Sequence, residues 1–284
     1  MYKPLQAGLI FLASIACIFS SSAAEPEEDE VPVNLSYIYA PLLGTGFYKA
    51  GAERAFVLKL SLENVLTKEN AERRFRWLLP VTLGLRETDF KNLLDLDQGF
   101  PDELHSLSFM PGLAWDFQPG PNWQLTPSAQ LGLARDFNLD TTTTIYSANL
   151  RGVGQWKMGD NTLTWGNRAR AAGQYNFDLE NDQGFVLLET GLDWEMATNM
   201  KIADQPVSVS VYTQLQVYLP DIGVRGFSGE HIDEKALVYL GITAGLDKPR
   251  RILGLPVQRL GISVAHGENF RGVTFNLGFP LLVD

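Results

Sequence analysis

Side-chain parity constrains this chain more than any other feature. In 75–87, Phe75, Trp77, Leu79, Val81, Leu83 and Leu85 fill the odd positions, while the even ones include Arg76, Thr82, Gly84 and Arg86. Apolar residues at every second position mark a strand with two unlike faces. The same period runs through 107–117, 123–133, 207–219 and 273–281, and helical periodicity is nearly absent. It predicts twelve strands near 34–41, 55–65, 74–86, 106–118, 123–135, 144–158, 162–177, 185–197, 206–219, 236–247, 257–266 and 272–281.

These segments are long for a soluble sandwich, whose strands average about 5–6 residues. Most exceed the roughly 9–11 residues that a tilted membrane strand needs. A mean hydropathy of −0.05 fits such a chain, because lipid-facing and interior residues alternate and cancel. The expectation is an all-β transmembrane antiparallel up-and-down barrel. Its two longest connections, 87–105 and 220–235, fall on one end. The turns 118–122 and 159–161, rich in Gly, Pro and Asn, fall on the other, and 66–73, 198–205 and 248–256 are of middling length. Aromatic residues gather at strand ends, among them Tyr37, Tyr39, Trp77, Trp115, Trp123, Trp156, Trp165 and Trp194, as in the girdles of membrane barrels.

The N-terminus reads as an export signal. Lys3 precedes an apolar run over about 9–19, and Ser22 and Ala24 offer small residues for cleavage after Ala24. The run is shorter than the roughly 20 residues of a spanning helix. Cys17, the single cysteine, lies inside this signal, so no disulfide framework is expected in the mature chain. Ser14-Ile15-Ala16-Cys17 resembles a lipoprotein processing site, but serine stands where a branched apolar residue belongs. The expected organisation is a signal peptide over 1–24, a short acidic extension over 25–33 and a barrel over 34–284. A formal charge of −10 argues against nucleic acid as a partner.

The parity that assigns one face to lipid assigns the other to an interior. A charge on the lipid face near the midplane costs about 2–4 kcal/mol, so the charges belong inside. The interior set includes Lys59, Glu63, Arg74, Arg76, Arg86, Asp116, Arg151, Lys157, Arg168, Arg170, Glu189, Asp193, Glu195, Tyr212, Tyr218, Asp247 and Arg259. Basic residues gather on the sixth and seventh strands and acidic ones on the eighth. Two arrangements use the same residues. Arg151, Arg168 and Arg170 form one wall of a constriction facing Glu189 and Asp193, which would sort solutes by charge, or cross-strand ion pairs brace a filled interior. Pro80, Pro111 and Pro127 fall inside three successive strands, where each removes a ladder donor, and a bulge or bend is expected there.

The end of the chain carries a resemblance. Val273-Thr274-Phe275-Asn276-Leu277-Gly278-Phe279 is similar to the C-terminal assembly signal of Gram-negative outer-membrane barrels, in which alternating apolar residues end on an aromatic one. It departs from that pattern by continuing through Pro280-Leu281-Leu282-Val283-Asp284. A cleaved signal, twelve strands and no passenger domain together resemble the solitary autotransporter-like barrels. The resemblance implies residence in the outer membrane of a Gram-negative bacterium, contact with outer-membrane lipid and lipopolysaccharide, and insertion by the barrel assembly machinery.

Function is less legible. The candidate roles are a narrow pore for small polar solutes, a structural barrel of the envelope, a lipid-modifying hydrolase, and a surface interaction protein acting through the outer loops. Hydrolysis needs a nucleophile beside an oriented base. His266 lies on the lipid-facing parity without the serine that follows histidine in the outer-membrane phospholipase pattern. His105-Ser106 lacks an evident third member, and His231 stands in the acidic stretch 230–234. No metal-ligand spacing, nucleotide fingerprint or phosphate-cradling glycine loop is present, so no cofactor and no catalytic residue is assigned. The acidic loop 87–105 offers carboxylates suited to divalent cations or simply to solvent.

Overall fold

The computed structural model describes residues 43–50, 53–70, 73–86, 104–137, 140–176, 181–202, 204–225, 231–252 and 255–282. Its strands are β1 (Gly46–Ala50), β2 (Glu53–Asn70), β3 (Arg73–Arg86), β4 (Leu104–Phe109), β5 (Gly112–Gly120), β6 (Trp123–Asp136) and β7 (Thr141–Met158). They continue with β8 (Asn161–Asn176), β9 (Asn181–Ile202), β10 (Gln205–Arg225), β11 (His231–Ile252), β12 (Leu255–His266) and β13 (Phe270–Asn276). Each pairs antiparallel with its sequence neighbours, and β1 bonds both β2 and β13, which closes the ring. Strands β4 and β5 both bond β3 and β6 in a common register, so they are two halves of one strand. The thirteen segments therefore make a closed, twelve-strand antiparallel barrel.

The ladder runs further than the apolar alternation does. Strand β10 continues to Arg225 and β11 starts at His231, with Ile222 opposite Glu234 and Arg225 opposite His231. The expected connection 220–235 thereby shrinks to 226–230, and 66–73, 198–205 and 248–256 shrink to 71–72, 203–204 and 253–254. Charged residues past the apolar stretch still donate and accept main-chain hydrogen bonds, which pattern reading does not register. All connections at this second end, 71–72, 121–122, 159–160, 203–204 and 253–254, leave two residues between strands. We call it the turn end. The loop end carries 51–52, 87–103, 137–140, 177–180, 226–230 and 267–269.

The expected strand 34–41 lies outside the described residues, as do the export signal, the acidic extension and the loop 87–103. The closing position is held instead by β1, Gly46-Phe47-Tyr48-Lys49-Ala50. Adjacent aromatics obscure its period, since Phe47 faces outward and Tyr48 is buried inside.

Pro80, Pro111 and Pro127 interrupt one sector without bulging it. Pro111 has no amide hydrogen to donate, yet β4 and β5 keep the same register on both neighbours across it, so no residue is inserted there. The amide of Met110 donates to Pro80 O at 3.2 Å, and that of Leu131 to Pro111 O at 3.0 Å. Pro127 stays in the ladder opposite Leu150 of β7. The expected bulge is thus a gap, because removing a donor costs a bond but does not lengthen the strand.

Outward positions form an apolar belt: Leu215 on β10, Leu240 and Ile242 on β11, Ile262 and Val264 on β12, and Leu131 and Leu133 on β6 are all exposed. Toward the turn end it finishes in aromatic rings. Phe75 stacks on Trp115 at 5.7 Å between centroids, Trp115 meets Phe117 at 5.0 Å, and Trp123 lies edge-on to Trp156 and Trp165 at 5.6 and 5.7 Å.

Candidate functional site: a packed and charged interior

Inward parity carries charge on strands that face one another, and the structure joins those charges directly. On β3, Arg76 Nε and Nη2 donate to the two oxygens of Asp116 on β5, at 2.8 and 3.0 Å. This fork matches a planar guanidinium to a carboxylate. Arg76 also bonds Glu63 of β2, Arg74 approaches Asp116 at 3.3 Å, and the Thr126 hydroxyl donates to Asp116 at 2.8 Å. Thr126 stands opposite Arg151 of β7, which stands opposite Arg168 of β8, itself opposite Glu189 of β9. One charged row therefore crosses half of the inner wall, from β3 to β9.

Both oxygens of Glu189 are bonded. Arg168 Nη1 reaches its Oε2 at 3.4 Å, while the amides of Gln214 and Gln216 donate to Oε1 at 2.9 and 3.0 Å. Tyr218 donates to Gln216 at 3.1 Å, and Arg170 Nε donates to Asn149 at 2.5 Å. Asp193 does not face the arginines of β7 and β8. Its Oδ2 takes Arg259 Nη1 of β12 at 3.0 Å, and Arg259 Nη2 lies 2.6 Å from Glu195. Sequence placed Arg259 on the correct parity but could not name its partners, because β12 and β9 are three strands apart around the ring.

Arg76, Arg151, Arg168, Arg170, Glu189, Asp193 and Tyr212 are all buried, and Glu195 and Arg259 are partly buried. Arg86 closes β3 opposite Ala55, and its side chain lies outside the described residues. Tyr212 accepts from Asn276 at 2.7 Å, which ties β10 to the end of β13. A wet constriction would leave such side chains in contact with solvent. Here oppositely charged groups are bonded to one another and not held apart as facing walls.

Sequence reasoning missed the two features that fill the rest of the interior. Toward the loop end, Tyr48, Phe185, Leu187, Tyr218, Leu237, Tyr239 and Phe270 form an apolar cluster. Toward the turn end, the chain turns inward after β13. Gly278 takes a φ of 135°, which a side chain rarely tolerates, and leads into the short 3-10 turn Pro280–Leu282. Phe279 and Leu281 are each 0% exposed.

They occupy a hollow left by Gly166 and Gly191, which stand opposite one another on β8 and β9. A Cβ at Gly166 would sit 2.6 Å from Leu281 Cβ, and one at Gly191 would sit 3.1 Å from Phe279 Cζ. The Phe279 ring packs on Tyr212 at 5.5 Å, and Arg168 Nη2 reaches Pro280 O at 3.4 Å. The stretch resembling an assembly signal therefore ends with its aromatic residue inside the barrel. The signal for this was present in the extra residues after Phe279.

His266 is exposed on the outer face, opposite Arg271, and among the described residues no serine bonds to it. The side chains of His105 and His231 lie outside the described residues, and among the described residues no group of His, Cys, Asp and Glu is arranged to hold a metal ion.

No family model matches this chain, and no curated protein does. Among solved structures it is similar to the β domain of the Bordetella autotransporter BrkA, with a TM-score of 0.46 at 10% identity over 81% of this chain and 92% of that one. It is also similar to the siderophore receptor PirA from Pseudomonas aeruginosa, with a TM-score of 0.33 at 10% identity over 80% of this chain and 37% of the receptor. The conclusion rests on the geometry itself: this chain is a closed, twelve-strand antiparallel barrel with an apolar outer belt and a filled, ion-paired interior.

Proposed function

We propose that this chain is an outer-membrane barrel that serves as a sealed structural element of the envelope rather than as an open pore. Support for the membrane comes from the outward belt of Leu, Ile, Val and Phe, which covers strands long enough to cross a bilayer and ends in tryptophans at the turn end. In this reading the chain is exported by a cleaved signal, meets outer-membrane lipid and lipopolysaccharide, and is inserted by the barrel assembly machinery.

The observation that carries the sealed reading is the packing of the inward face at three levels. Apolar side chains fill the loop half, the Arg168–Glu189 network fills the waist, and Phe279 with Leu281 fills the turn half. Solutes cannot pass through close-packed side chains, because interiors of this density leave few voids larger than a water molecule. The candidate interior residues Arg76, Arg86, Arg151, Arg168, Arg170, Glu189, Asp193, Glu195, Tyr212 and Arg259 are then braces and not a selectivity filter.

The test is single-channel recording of the refolded protein in a planar bilayer. A silent barrel, whose insertion is checked by protection from protease, is the expected result. Discrete conductance steps from the native protein would overturn the sealed reading.

A further inference from the structure

The outer face ends differently at the two ends of the barrel. Along β2, β1, β13, β12 and β11, Phe56, Phe47, Val273, Val264 and Leu240 stand opposite one another in one outward row. Phe47 packs on Phe56 at 4.7 Å and on Phe275 at 6.0 Å, so this sector of the belt is apolar and partly aromatic. Two residues nearer the loop end, the next outward row reads Lys49, Arg271 and His266, again directly opposite one another across β1, β13 and β12. Lys49, Arg271 and His266 are exposed, and among the described residues none of the three has an ion-pair partner.

The neighbouring groups do not neutralise this row. Glu234, the buried carboxylate at the same rim, directs its two oxygens to the amides of Glu268 and Asn269 at 3.1 and 2.9 Å. On the opposite side of the barrel, the outward arginine at the loop end, Arg135, is bonded to Asp140. A chain of formal charge −10 thus places the adjacent cations Lys49 and Arg271, with the His266 ring beside them, on one patch of its outer wall, immediately beyond the apolar belt.

We propose that Lys49, Arg271 and His266 bind the phosphate of an anionic lipid whose acyl chains lie on Phe47, Phe56, Val273 and Val264. The inference rests on the membrane reading above. Apolar surface for the chains and cations for the phosphate occur in the order in which a lipid presents its parts, and the cations sit at the depth of the headgroups. A phosphate at a membrane surface is attracted by each nearby lysine or arginine, and the directed hydrogen bonds of arginine add to it.

The experiment uses the full mature chain refolded into vesicles of phosphatidylcholine containing a few per cent of diphosphorylated lipid A, then extracted in zwitterionic detergent and assayed for co-purifying lipid A. Three proteins are compared: native, a variant carrying Lys49→Gln, Arg271→Gln and His266→Gln, and a control carrying Lys157→Gln and Lys201→Gln near the turn end. The native protein and the control should retain lipid A, and the triple variant should retain at least tenfold less. Excess inorganic phosphate should compete only weakly, since it offers nothing to the apolar row. Equal retention by the triple variant, or an equal loss in the control, would overturn the site. Equally effective competition by phosphate would overturn the lipid as its ligand. Failure of the native protein to become protease-protected in vesicles would overturn the membrane reading itself, which separates that failure from failure of the site.

Discussion

Strands β7 and β8 pair without a break from Thr143 opposite Asn176 to Met158 opposite Asn161, whereas the wall at β3 to β6 lacks the donors that Pro80, Pro111 and Pro127 cannot supply. The two sectors are held by different means. In the continuous sector, an unbroken ladder runs beside the Arg168–Glu189 bond, and the interior accommodates the paired glycines Gly166 and Gly191 that admit the C-terminal turn. In the interrupted sector, prolines remove donors, and the forked bond of Arg76 to Asp116 ties β3 to β5 below the gap. Where the backbone ladder is weak, a buried ion pair stands in its place.

The largest expected effect is that of Asp116→Ala. It strands Arg76 and Arg74 without their shared carboxylate, and breaking a buried pair from one side costs about 3–5 kcal/mol. Urea unfolding of the refolded barrel in detergent should show it. A loss below about 1 kcal/mol would mean that β3 and β5 do not depend on this pair, and the contrast between sectors would fail.

Leu281→Ala should follow at about 2–3 kcal/mol, because the turn cannot collapse onto the glycine pair to fill the space left. Its effect should be local: hydrogen exchange should quicken along β8 and β9 while β3 and β5 keep their native rates. The reverse order of protection would remove the assignment of the tail to the continuous sector.

Without any substitution, amides at 112–113 and 132–133 should exchange faster than those at 145–153 and 165–173, since opening begins beside the donor that Pro111 lacks. Uniform protection around the ring would show that the missing Pro111 donor does not weaken this sector. The smallest effect belongs to Arg135→Gln. Its partner Asp140 is exposed, and surface pairs contribute about 0–1 kcal/mol, so the unfolding midpoint should barely move.

The charged residues were visible in the sequence, and parity assigned those on strands to one face or the other. Arg76, Arg168 and Glu189 could be placed inside because Trp77, Ala169 and Leu188 beside them had to lie outside. Even the pairing of Arg168 with Glu189 was within reach, since the hairpin joining β8 to β9 makes them neighbours. The partner of Asp193 was not. Arg259 reaches it from three strands away, and the sequence holds no record of how a ring closes. The basic outer row was equally hidden: Lys49, Arg271 and His266 come from both ends of the chain and meet only because β1 joins β13.

By itself the sequence determined which residues of a strand share one face and which share the other. That follows from the backbone, where successive side chains point to opposite faces whatever the strand is paired with. The tertiary structure alone decided register, closure and filling. Register is a relation between strands distant in sequence, and β1 was chosen as the closing strand by its two partners and not by its own five residues. Filling was decided in the same way. Phe279 continues the outward alternation of β13 and would lie on the outer face if the strand ran on, but Gly278 lets the chain turn, and the hollow between Gly166 and Gly191 takes Phe279 and Leu281 inside.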